Sequence, residues 1–77
     1  MILLERLRNL RVDHDITQTQ LAGEFHISQK TYSKYETGQR QIPIELLISL
    51  AQYYHVSVDY LLGLTDNPKP YPPHAKK

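Results

Sequence analysis

Three clusters of side chains in this sequence have chemically capable types, and their spacing sorts them. Gln29, Lys30, Ser33 and Lys34 recur at intervals that place them on one side of a short helix, with Tyr32 and Tyr35 on the other. A glutamine amide offers a donor beside an acceptor, which matches the N6 and N7 edge of adenine. A lysine can donate to the O6 and N7 edge of guanine. Alone, such a face is an ordinary solvated surface. His55, Ser57 and Asp59 are hydrolase types, but they fall within one helix cap and its first turn and cannot align nucleophile, base and orienting acid. Asp13, His14 and Asp15 are consecutive and cannot converge on one ion as ligands from separate elements do. No catalysis, metal or cofactor is expected.

The elements that must position the first cluster are written locally. Thr17 can accept from the free amide three residues on while Gln20 reaches back to the Thr17 amide, and Ile16 can staple onto Leu21. The same grammar recurs at Ile27-Ser28 with Tyr32, and at Val56-Ser57 with Leu61. Only Leu21 to Ile27 separate the first two starts, so the first helix has about two turns before the chain reverses. That is the spacing of two helices joined by a tight turn. The second of them covers residues 28–36, and Thr37-Gly38 reads as its stop, with Gly38 free to turn left-handed.

Taken in order, Thr17-Gln18, Leu21-Ala22, Ile27-Ser28, Tyr35-Glu36-Thr37-Gly38 and the run Val56 to Gly63 resemble the DNA-binding domain of the phage repressor and Cro type (XRE-like) over roughly residues 3 to 63. The resemblance implies an all-α, five-helix, lambda-repressor-like domain that binds double-stranded DNA and regulates transcription, as a repressor. It implies base contacts from Gln29, Lys30, Ser33 and Lys34, and backbone contacts from Gln18, Ser28, Thr37, Gln39 and Arg40. It implies a structural ion pair of Arg11 with Glu36, for which the planar guanidinium fork is well shaped. A module that contacts few bases is expected to act as a homodimer on a near-palindromic operator; Tyr60, Leu62 and Leu64 read either as an apolar patch that a second copy covers or as ordinary surface residues. The family usually has glycine where His26 stands. Histidine is either a tolerated left-handed residue there or a functional one, a pH switch or a phosphate contact. A different use of the scaffold, as an antitoxin or protein-interaction module, is the alternative.

Size and composition agree with a small module. Seventy-seven residues bury only about 60% of the unfolded surface, enough for one core and no usual catalytic cleft. There is no cysteine, which removes disulfides and thiolate metal sites and suits a reducing cytoplasm. The apolar runs are too short for a membrane span and no secretory signal opens the chain. A net charge of +1 does not by itself point to a polyanion. Lys30, Lys34 and Arg40 are nevertheless gathered around one helix, while Glu45 and Asp59 dilute the total elsewhere.

The remaining elements are scaffold. Leu3, Leu7 and Leu10 predict an amphipathic helix over residues 2 to about 12, with Glu5, Arg6, Arg8 and Asn9 on its wet side. Pro43 suits the first turn of a fourth helix that is polar only at Glu45, Ser49 and Gln52. Ile44, Leu47, Ile48 and Ala51 are assigned to the interior, with Leu46, Leu50 and Tyr53 against the first and last helices. His55 reads as a helix end. The domain is drawn at residues 1–64. Residues 65–77, proline-rich and ending in Lys76-Lys77, read as a flexible tail.

Overall fold

A hydroxyl that substitutes for a missing carbonyl decides where a helix begins, and three helices of this chain begin on one. The computed structural model describes residues 2–70; these form α1 (Ile2–Asp13), α2 (Gln18–Glu24), α3 (Gln29–Glu36), α4 (Ile44–Tyr54) and α5 (Val58–Leu62). Before α2, Thr17 Oγ1 accepts from the Gln20 amide at 3.1 Å and the Gln20 side chain accepts from the Thr17 amide at 2.9 Å, a complete capping box. Ser28 accepts from the Thr31 amide and Ser57 from the Tyr60 amide, each at 3.0 Å. The helix ends are equally local. Chain reversals follow at Gly38 (φ 83°) and Gly63 (φ 81°), but also at Asp15 (φ 56°), His26 (φ 57°) and His55 (φ 59°), where a Cβ makes the left-handed region costly.

Every helix contributes one side chain to the centre: Leu7, Leu21, Tyr32, Leu50 and Leu61 are fully buried. Around them α2 packs on α3, α1 on α3 and α5, and α4 on α5. Ile16 and Ile27, the residues just before two of the caps, lean on this core together with Val56. At Gly63 the fit is tight, since a Cβ would come within 2.9 Å of Ile2 Cγ2. Among the described residues no helix is long and apolar enough to cross a membrane.

Three expectations need correction. In α4 the buried stripe is Leu47, Leu50, Ala51 and Tyr54, whereas Ile44 is 66% exposed and Ile48 43% exposed. With apolar residues on almost every face, periodicity could not select which face turns inward. Tyr53 does not pack into the body either; it is 41% exposed and meets Phe25 edge-on at 5.7 Å. Arg6, assigned to the wet side, lies over the Tyr60 ring and donates to the carbonyls of Tyr60 and Thr65 and to Asp66 Oδ1. Its partners are more than fifty residues downstream and invisible to local patterning.

That clamp also holds the chain after α5. The Ser57 amide donates to the Pro68 carbonyl at 3.1 Å, so hydrogen bonds to the body continue past the boundary drawn at residue 64. The segment from Tyr71 onward, including Lys76 and Lys77, lies outside the described residues.

Candidate nucleic-acid interface

The geometry of the candidate surface starts from a buried charge. Glu36, the last residue of α3, is 8% exposed, a position a carboxylate occupies only with partners. Arg11 at the end of α1 supplies them in a fork: Nε donates to Oε2 at 3.0 Å and Nη2 to Oε1 at 2.9 Å. Its remaining Nη1 donates to the Ile16 carbonyl at 3.0 Å, immediately before the α2 cap. One guanidinium therefore ties the end of α1, the start of α2 and the end of α3.

Burial pushes the Glu36 carboxyl toward its neutral form, but hydrogen bonds from Arg11, with help from Tyr32 and Gln18, outweigh burial and hold it below its ordinary value. The same bond to Glu36 raises Arg11. Tyr32 and Tyr54 are both shifted upward, chiefly by burial. The Tyr32 hydroxyl acts on the Glu36 carboxylate without reaching a hydrogen bond of normal geometry, and that of Tyr54 also lacks a partner.

With Tyr32, Tyr35 and Glu36 turned inward, the opposite side of α3 is left to Gln29 and Lys30, both exposed, and to Ser33 and Lys34, both half-buried. The four candidate base-reading residues thus share one accessible face. Around it the loop folds back: the Gly38 amide donates to the Tyr35 carbonyl at 3.2 Å and the Arg40 amide to the Lys34 carbonyl at 3.1 Å. Arg40 is thereby set beside Lys34, and Gln39 is exposed next to it. Among the described residues Arg6 pairs with Asp66 and Arg11 with Glu36, and neither pair involves Lys30, Lys34 or Arg40. The only acid of α3 is the one Arg11 neutralises.

The candidate backbone-contacting residues differ in what they have left to give. Thr37 Oγ1 donates to the Ser33 carbonyl at 2.8 Å, and Ser28 Oγ donates to Thr31 Oγ1 at 2.9 Å while accepting from the Thr31 amide. Both hydroxyl protons are spent inside the protein, which leaves the amides at the start of α3 as donors there. Gln18 is half-buried, and its Nε2 donates to Glu36 Oε1 at 3.2 Å. Its Oε1 accepts from Gln29 Nε2 at 2.7 Å. This side-chain chain from Glu36 through Gln18 to Gln29 was not foreseen; the only signal for it was a glutamine at the first position of each of two facing helices.

The other candidate clusters stay apart from this surface. His14 Nδ1 donates to the Leu10 carbonyl at 2.8 Å, and its ring lies tilted against that of Tyr54 with centroids 5.2 Å apart. Ser57 is buried as a cap and His55 closes α4. His26 is exposed in the α2–α3 turn.

Comparison with known proteins agrees with this arrangement. Residues 7–61 match the helix-turn-helix family. The chain is 47% identical over 66 residues to the uncharacterized HTH-type transcriptional regulator YobD of Bacillus subtilis, covering 86% of this chain and 59% of that protein. It is 40% identical over 63 residues to the cryptic phage CTXphi transcriptional repressor RstR of Vibrio cholerae, covering 82% and 56%. Antitoxin PezA of Streptococcus pneumoniae is 32% identical over 59 residues, covering 77% and 37%. The chain therefore spans less than two thirds of the length of these relatives. No solved structure gives a significant match. On its five-helix fold, its paired Arg11 and Glu36 and this match, the chain belongs to the helix-turn-helix family of the phage-repressor type.

Proposed function

We propose that this chain binds double-stranded DNA in a sequence-specific way and regulates transcription, as a repressor, by placing α3 in the major groove. The observation that carries this reading is the outward face of α3, where Gln29, Lys30, Ser33 and Lys34 stand accessible on a rod fixed by buried tyrosines. In it Gln29 and Lys30 meet base edges at the forward end and Lys34 one turn later. The backbone is tracked by the starts of α2 and α3 at Gln18 and Ser28, and by Thr37, Gln39 and Arg40 after α3. A single module of this size touches few base pairs. The working form is therefore a cytoplasmic homodimer on a near-palindromic operator with half-sites roughly 34 Å apart. Leu62, 43% exposed, and Leu64, 73% exposed, with Tyr60 beside them, provide an apolar face for the second copy.

Selection of bound sequences from a random duplex library tests the proposal. An enriched palindrome with that spacing is the expected result. Enrichment of nothing, together with a flat dependence of random-duplex affinity on salt, would refute it, because phosphate contact requires a steep negative slope. Flat salt dependence is what the second reading expects, an antitoxin or protein-interaction module on the same scaffold; the similarity to antitoxin PezA and the exposed Ile44 and Ile48 are the observations in its favour.

A further inference from the structure

We propose that Arg6 is a positioning residue for self-association: it fastens the chain after α5 as a strap across the end of that helix, and so holds in place the apolar face on which a second copy docks. The inference rests on the homodimer reading above and assigns the residue that sets the geometry of its contact.

Helix α5 has five residues, too few to hold its own shape, and its last carbonyls must find partners outside the helical ladder. One guanidinium from α1 supplies them. Arg6 Nη1 donates to two backbone carbonyls, that of Tyr60 inside the helix and that of Thr65 beyond it, the latter at 2.7 Å. Nη2 donates to Asp66 Oδ1 at 2.9 Å, and Cζ lies 4.0 Å from the centroid of the Tyr60 ring. A cation at a helix C-terminus also suits the helix dipole. Arg6 therefore grips the chain both before and after the turn at Gly63.

Leu62 and Leu64 lie between these two grips. Leu64 is 73% exposed, so packing does little to fix it; its backbone does that, through an amide that donates to the Asp59 carbonyl at 2.9 Å and through Arg6 on the next carbonyl. Further on, the Ser57 amide holds the Pro68 carbonyl at 3.1 Å. Between the anchors the strap shapes itself: the Asn67 amide donates to Thr65 Oγ1 and the Lys69 amide to Asn67 Oδ1, each at 3.1 Å. An apolar face that is already ordered loses less freedom when it docks. In a two-fold dimer both copies present the same patch, so any disorder in it counts twice.

The test uses the full chain, with sedimentation equilibrium for association and titration of the selected operator and of a duplex carrying one half-site. Arg6→Met keeps the apolar stem and removes the three bonds. About tenfold lost per copy, squared by symmetry, is expected to raise the dimer dissociation constant roughly hundredfold, at a temperature where circular dichroism shows both proteins folded. Operator affinity should fall with it while half-site affinity stays as it was. Arg6→Lys keeps the charge without the planar fork and is expected to fall between the two. Asp66→Ala removes only the exposed arm, costs about threefold per copy, and keeps the question open to measurement if Arg6→Met does not fold. Strap closure is read separately in a Leu64→Ser background, which adds no charge for Arg6 to capture: backbone 15N relaxation at Thr65 and Asp66 should report greater motion once Arg6→Met is added. Unchanged relaxation would overturn the strap. A lower Tm with an unchanged dissociation constant, or equal losses on half-site and operator, would overturn the positioning role. An unmodified chain that stays monomeric at every concentration while the relaxation difference persists would instead remove the dimer reading, and the inference with it.

Discussion

Removing the Glu36 carboxylate is expected to damage the fold far more than its place beside the candidate interface suggests. In Glu36→Ala the Arg11 guanidinium loses both arms of its fork and keeps only the Ile16 carbonyl. Its side chain is 15% exposed, so water can reach only part of the stranded charge. Breaking a buried pair from one side costs about 3 to 5 kcal/mol, and the partial access of Arg11 to solvent places this case near the lower end. A domain of this size has a total stability of only about 4 to 12 kcal/mol. Urea unfolding followed by far-UV circular dichroism measures the effect directly. With a slope of about 1 kcal/mol per molar for a small domain, the midpoint should fall by roughly 3 M at unchanged slope. Arg11→Met combined with Glu36→Leu removes both charges and is expected to be more stable than Glu36→Ala alone. A midpoint for Glu36→Ala within about 1 M of that of the unmodified protein would refute the reasoning, because the charge would then have been free to find water.

Four further outcomes follow from the same contacts. The folded Glu36 carboxyl lies below its ordinary value of 4.5, so the pair's stabilisation is complete above that value in the unfolded chain and is lost as pH falls through the lower folded value; an acid titration of Glu36→Gln should lack this loss. His26→Gly removes a Cβ from a left-handed turn at φ 57° and should stabilise by about 1 kcal/mol, read as a rise in Tm. Lys30→Ala should relax discrimination at one operator position by about 1 to 3 kcal/mol, whereas Arg40→Ala should weaken all sequences alike and reduce the salt slope by about 1; identical behaviour of the two would undo the sorting of contacts. Leu64→Glu places a charge on a side chain that is 73% exposed and should abolish dimerisation in sedimentation equilibrium and remove the concentration dependence of Tm, with the fold retained.

Much of this architecture was legible because it is locally encoded. Thr17, Ser28 and Ser57 each announce a helix with a hydroxyl whose target lies three residues away, and the left-handed turn at His26 is confined to the tight connection between two such helices. The inner tyrosines of α3 follow from spacing alone, and with them the outward side on which Gln29, Lys30, Ser33 and Lys34 stand. The face of α4 was not legible, because a helix with few polar residues can bury almost any side, and the winner depends on what α1 and α5 present. Nor was the Arg6 clamp. Its use of the Tyr60 ring and of Asp66 depends on a distant segment folding back, which no window of a few residues contains.

The side chains that join α2 to α3 show why the candidate surface needs such a costly centre. Two short helices of seven and eight residues are too brief to hold their own geometry, and isolated helices of that length are marginal in water. Packing by Leu21, Ala22 and Tyr32 fixes their separation but tolerates small rotations, since apolar contacts have no direction. Hydrogen bonds do have direction. The fork from Arg11 to Glu36 and its third arm to Ile16 lock the start of α2 against the end of α3, and Gln18 carries that constraint out to Gln29 at the other end of the helix. A buried ion pair is weak evidence for stability and better evidence for specificity of arrangement. Here the arrangement it specifies is the setting of α3 against the start of α2.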